Sequence, residues 1–172
     1  LVICLVLACT FEFVNGFHDT ANAVATVIYT NSMKPTTAVV YSGILNFVGV
    51  MTGGIAVAMG IVNLLPMEVL VDSNVYHGIA MILALLLSAI IWNLGTWYFG
   101  LPASSSHTLI GSIIGIGLAF YFLPDNVGGS AVNWDKAKDT GLALLISPLA
   151  GFTVAILMMF IFKRLVKNEI IY

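Results

Sequence analysis

The sequence predicts an all-α integral membrane protein with about five membrane segments, and three observations lead there. Hydrophobic residues make up 60% of the 172 and charged ones only 8%, against about 25% charged in a typical soluble domain. Long apolar stretches recur along the chain, and a bilayer core about 30 Å thick needs only ~20 helical residues to cross it. Pro, Gly, Asn and Asp gather between those stretches, where turns are expected. There is too little polar material to clothe a soluble surface. The formal net charge of −2 comes with no basic patch or charge run, so no nucleic-acid partner is expected.

Five segments qualify or nearly qualify, at about 1–30, 36–65, 77–99, 103–123 and 141–162. Leu1 opens inside an apolar stretch with neither Met nor a basic leader, so no removable signal peptide is expected and the start reads as truncated. Cys4 and Cys9 lie in that stretch, where they read as small core residues and not as a disulfide. Pro35 and Pro66 bound the second segment, and Pro102 and Pro124 bracket the short fourth. The third and fourth read either as two full spans or as a re-entrant hairpin with its tip near Pro102. The connector 124–140, rich in Gly, Asn and Asp, reads as an exposed loop before the fifth. Residues 1–172 form one transmembrane unit, with no soluble domain between the segments.

The basic residues orient this unit, since cytoplasmic loops carry the excess of Lys and Arg. With Lys34, Lys163, Arg164 and Lys167 inside, only Lys136 and Lys138 lie outside. The N-terminus and the loops 63–76 and 124–140 are then outside and the C-terminus inside. The chain ends on the side opposite to its start, so a second copy would be inverted, as in many secondary transporters.

Two polar clusters interrupt the apolar pattern. The first segment carries Glu12, Asn15, His18, Asp19, Asn22 and Thr26. At about 100° per residue, positions 12, 15, 19, 22 and 26 share an arc of roughly 80°, with Phe13, Phe17, Thr20 and Val24 opposite. Asn and Thr alone would make an interhelical hydrogen-bond seam. Two carboxylates at ~2.5–3.5 kcal/mol each in lipid demand a wet or protein-lined face, and point to a functional site. Gly16 offers a place for the helix to break and expose backbone groups to ions.

The second cluster is LPASSSHT, Leu101 to Thr108. A Pro and three serines before an apolar run are helix N-terminus chemistry, because serine hydroxyls cap free N–H groups. The positive end of the helix dipole there, with Ser104, Ser105, Ser106, His107 and Thr108 around it, suits an anion. An ordinary capped helix start is the plain alternative. A hydrolase triad of Ser105 or Ser106, His107 and Asp19 is a further one, though adjacent Ser and His rarely face each other and no nucleophile elbow surrounds them. Asn46 and Asn93 read equally as packing or site. Gly49 with Gly53 and Gly111 with Gly115 read as helix-packing faces, and Trp92, Trp97 and Tyr98 as part of an interfacial belt.

At Gly16 to Thr26, GFHDTANAVAT, and at Asn93 to Leu118, NLGTWYFGLPASSSHTLIGSIIGIGL, the chain resembles the inorganic phosphate transporter (PiT) family, especially its bacterial low-affinity members. The resemblance implies a multi-pass protein of the bacterial inner membrane that couples phosphate uptake to a cation. It implies two such motif sets in inverted repeats, of which this chain is the N-terminal one, and a homodimer of the full-length protein. Asp19, Asn22 and Ser104 to Ser106 would line the substrate and ion sites, with Asn15, Gly16, His107 and Thr108 beside them. Many relatives carry Asn where His18 stands, Thr among the positions of Ser104 to Ser106, and an acidic residue near Asn46 in animal members.

Neither motif contains Lys or Arg, so the charge of phosphate needs compensation from elsewhere. His18, His107, Glu12 and Asp19 can take up protons, and His titrates near neutral pH when unperturbed. The expectation is therefore proton-coupled symport with no resident cofactor and no fixed metal, in which Mg2+ or a similar ion travels with phosphate as a neutral complex. Sodium coupling and a phosphate channel are the alternatives.

Overall fold

The computed structural model of the protein describes residues 2–53, 59, 75–122 and 132–165. The described residues form five helices: α1 Val2–Tyr29, α2 Pro35–Gly53, α3 Val75–Tyr98, α4 Ser105–Tyr121 and α5 Trp134–Leu165. Among the described residues α1, α2, α3 and α5 are long and apolar enough to cross a membrane. The protein is an all-α membrane protein. At 1.5 Å per residue, α3 is about 36 Å long and α4, the shorter arm of its hairpin, about 25 Å. The end of the expected second segment beyond Gly53, most of the loop 63–76 and the first part of 124–140 lie outside the described residues.

Backbone chemistry sets the ends. Past α1, Asn31 takes φ 54°, its N–H reaches Ile28 O at 3.0 Å and that of Ser32 reaches Val27 O at 3.1 Å. This is the paired-bond C-terminal cap in which a left-handed residue satisfies the last carbonyls. Pro35 then opens α2, where its missing N–H costs nothing. The same cap closes α3. Gly100 sits at φ +66°, its N–H reaches Trp97 O at 3.0 Å and that of Leu101 reaches Thr96 O at 2.8 Å. Threonine hydroxyls inside the helices bond back to carbonyls one turn earlier, as Thr10 does to Val6, Thr52 to Val48 and Thr153 to Leu149. In a bilayer these groups have no water to turn to.

Two expectations are corrected. The break at Gly16 is absent, and α1 runs unbroken through it. A glycine costs a helix only ~1 kcal/mol, and Thr20 Oγ1 donates to the Gly16 carbonyl at 2.7 Å, tying the neighbouring turns together. The connector 124–140 also does not stay a loop to its end, because α5 begins at Trp134. Asp135 stands in the first turn, where a carboxylate favours the helix dipole, and Thr140 Oγ1 bonds Lys136 O at 2.8 Å.

Helices α1 to α4 belong to one compact unit and α5 to a second. In the first unit α3 packs along α1, with Phe11, Leu86, Ala89 and Ile90 as its core and Leu7, Ala8, Leu85 and Leu109 around it. Phe11 meets the 86–90 level, His18 meets Thr96, and Phe17 meets Trp97. Residue numbers rise together, so α1 and α3 run parallel. Helix α4 folds back antiparallel on α3, with His77 and Met81 near Ile116 and Phe120. Most large apolar side chains, Trp92, Trp97 and Tyr98 among them, are exposed, as a lipid-facing surface requires. Cys4 is partly buried and Cys9 exposed, both free. Apart from the backbone of their own helix turns, no atom of the described residues lies within 4 Å of where side chains on Gly49, Gly53, Gly111 and Gly115 would point, so their packing faces are open.

Candidate substrate and ion site

The two polar motifs meet. Ser105 Oγ donates to the Asp19 carboxylate, at 3.2 Å to Oδ2 and 3.4 Å to Oδ1. Asp19 reaches this point because α1 stays helical past Gly16, and Ser105 because the Gly100 cap and Pro102 turn the chain back to start α4 there. Ser105 is buried, while Asp19 keeps an exposed side.

The three serines do three different things. Ser104 is the N-cap of α4, with φ −101° and ψ 118°, and its Oγ accepts the His107 N–H at 3.4 Å. Its carbonyl accepts the Thr108 N–H and the Thr108 hydroxyl, both at 3.0 Å. Ser105 serves the carboxylate. Ser106 is exposed at the helix start. The N–H groups of Ser105 and Ser106 fall in the first turn, where no earlier carbonyl of the helix is available. They and the hydroxyls form a donor-rich end with an acceptor, Asp19, against it.

Two clefts flank this contact. One, of about 730 Å3, runs between α1 and α2 and is lined by Glu12, Asn15, Gly16, Asp19 and Thr20, with Asn46 across from them. Phe13, Phe17 and Val24 line it too, so its wall is wider than the polar arc alone. The other, of about 1070 Å3, lies between α3 and α4 and takes in Thr96, Ser104, His107, Thr108 and Ser112. Glu12, Asn22 and Thr26 are exposed along α1. With Asp19 they form an open side of the helix, Asn15 alone of the stripe being half-buried, and the candidate site is a surface of this unit.

His18 points elsewhere. It is 6% exposed and turned to α3, where its Nε2 lies 3.5 Å from Thr96 Oγ1. That hydroxyl also bonds the Trp92 and Asn93 carbonyls at 3.0 Å. Sequence reasoning passed over Thr96 and rated Asn93 low. The available signal was their shared spacing of three on α3, at the level where α1 turns polar. The triad reading loses its geometry, because the serine hydroxyl goes directly to Asp19 while His107 is exposed. Among the described residues no group of three His, Cys, Asp or Glu forms a metal cage.

Comparison with known proteins finds a family and named relatives. The model of the phosphate transporter family matches residues 15–171. The chain is 49% identical over 164 residues, 95% of its length, to the low-affinity inorganic phosphate transporter PitA of Escherichia coli K12, covering 33% of that protein. Identity to PitB of the same strain is also 49%, again over 95% of this chain and 33% of the relative. A low-affinity inorganic phosphate transporter of Buchnera aphidicola from Acyrthosiphon pisum is 49% identical over 162 residues, 94% of this chain and 33% of that one. The chain therefore spans about a third of the length of these curated relatives. No solved structure matches it.

Proposed function

The chain belongs to the phosphate transporter family, and on that premise we propose that it forms the first half of a symporter carrying inorganic phosphate across the bacterial inner membrane. The observation that carries this reading is the Ser105–Asp19 contact, which puts an anion-binding helix start and a carboxylate at one point. Phosphate oxygens accept hydrogen bonds from the Ser105 and Ser106 N–H groups and from the exposed Ser106 hydroxyl, while the Ser105 hydroxyl holds Asp19 in place. Asp19 opposes the anion unless a proton or a cation sits between them. The site thus takes phosphate together with positive charge, which is the physical content of symport. A second, inverted repeat closes the open stripe of Glu12, Asp19, Asn22 and Thr26, and the complete protein works as a homodimer in the lipid bilayer.

A serine series tests the assignment. In the complete transporter, Ser105→Ala is expected to weaken phosphate binding by about one to two decades, the worth of a hydrogen bond of ~1.5–3 kcal/mol to a charged group. Ser104→Ala removes a helix cap of about 1 kcal/mol and should appear chiefly as lower thermal stability. Uptake kinetics and melting curves separate the two. An unchanged Michaelis constant in Ser105→Ala and Ser106→Ala would reduce the turn to ordinary capping.

The charge asymmetry supports an orientation with the N-terminus outside and the C-terminus of this unit inside. A single cysteine placed at Asn133 should react with an impermeant thiol reagent in intact cells. Labelling only after the membrane is opened reverses the orientation, and with it the inverted-repeat reading.

A further inference from the structure

Three buried polar atoms stand without a hydrogen-bond partner among the described residues: Asn93 Oδ1 and Nδ2 on α3, and Asn15 Oδ1 on α1. Asn93 is 1% exposed, and an unpaired buried polar atom costs about 1–3 kcal/mol. The helix register places the two residues at one level of the parallel pair. His18 meets Thr96 across the interface, and one turn back along the parallel helices, three residues on each, stand Asn15 and Asn93. Below them the interface is apolar, closed by Phe11, Ala89 and Ile90.

We propose that Asn15 and Asn93 hold one internal water molecule that locks α1 to α3 and so positions Asp19. The donor count fits one water. It accepts the Asn93 Nδ2–H while donating one hydrogen to Asn93 Oδ1, the cyclic pairing an amide makes with water. Its second hydrogen goes to Asn15 Oδ1. All three atoms are then satisfied, and an internal water typically makes about three such bonds. A bare cation fits worse, because the site offers two neutral oxygens, no carboxylate, and an N–H that repels it. Asp19 lies four residues after Asn15, on the same face of α1. Fixing the Asn15 amide therefore fixes the rotation of the helix that presents Asp19 to Ser105.

The effect on transport rests on the reading of Asp19 and Ser105 as the phosphate site, whereas the water itself is tested without it. A high-resolution cryo-electron-microscopy map of the complete transporter is expected to show a compact density within hydrogen-bond distance of both amides. A direct Asn15–Asn93 bond, or a dry gap, overturns the site. In uptake assays Asn93→Leu, of similar size but apolar, is expected to raise the Michaelis constant for phosphate about tenfold at unchanged membrane abundance. Asn93→Ser, which keeps a donor and an acceptor and leaves room for more water, should stay within about twofold of the parent. Equal losses in both variants would show that only packing is at stake, and no change in Asn93→Leu would show that the lock does not position Asp19. Should Asp19 prove dispensable for uptake while the density is present, the phosphate reading fails and the water site stands.

Discussion

Phosphate uptake by the complete transporter is expected to fall to about a hundredth or less when Asp19 becomes Asn, with the protein still inserted at normal levels. The substitution keeps the shape of the side chain and leaves an oxygen to accept the Ser105 hydroxyl, now 3.2 Å from Oδ2. Ser105 is therefore not orphaned, and the α1–α4 contact has no reason to open. Only the negative charge is removed, and with it the group proposed to take a proton or cation beside the anion. Hydrogen bonds to charged groups are worth up to ~3 kcal/mol, or two decades. Asn22→Ala should act in the same direction, since Asn22 follows Asp19 by one turn on the exposed stripe. The check is radiolabelled phosphate uptake in cells lacking other phosphate transporters, with membrane abundance measured in parallel. Near-normal uptake by a well-expressed Asp19→Asn variant would remove Asp19 from the site.

The other large effect concerns the driving ion. Helices α1 to α4 contain no Lys or Arg, while phosphate near neutral pH would bring one to two negative charges to the proposed site beside Asp19. Dipoles and N–H groups do not offset that in a low-dielectric setting. We expect proteoliposomes to accumulate phosphate under an inward proton gradient. One pH unit supplies about 1.4 kcal/mol per proton, enough for roughly tenfold accumulation. Added magnesium should raise the rate by carrying phosphate as a neutral complex, and a sodium gradient alone should do nothing. Accumulation driven by sodium without response to protons would mean that the wrong ion has been chosen. Rapid equilibration with no accumulation under any gradient would identify a channel.

Hydropathy made the helices legible, because lipid demands long apolar stretches whatever the tertiary contacts are. The first segment, placed at about 1–30, is Val2–Tyr29, and the third, at about 77–99, is Val75–Tyr98. What failed were features decided by single turns. Gly16 suggests a break in sequence, yet continuous backbone bonding through it is cheap. Trp134 to Thr140 looks like loop by composition, yet its helical hydrogen bonds are satisfied. The site was half legible. Both motifs stand out by polarity alone, but that Ser105 and not Ser104 reaches Asp19 depends on which serine caps α4. Three identical residues in a row carry no sign of that division. His18 stands among the polar residues of the first motif but falls outside their arc, and it is buried against Thr96.

The Ser105–Asp19 contact joins residues 86 positions apart, and that separation is also a delay. At about 5–20 residues per second, Asp19 leaves the ribosome roughly 4–17 s before Ser105 does. Throughout that interval α1 must stay in the membrane with its carboxylates unpartnered, held by its apolar flanks, Val2 to Cys9 and Val24 to Ile28. Only when α3 has packed beside it and the Gly100 turn has sent α4 back does the carboxylate acquire its hydroxyl. The order of synthesis, as well as the final geometry, thus governs whether this contact forms.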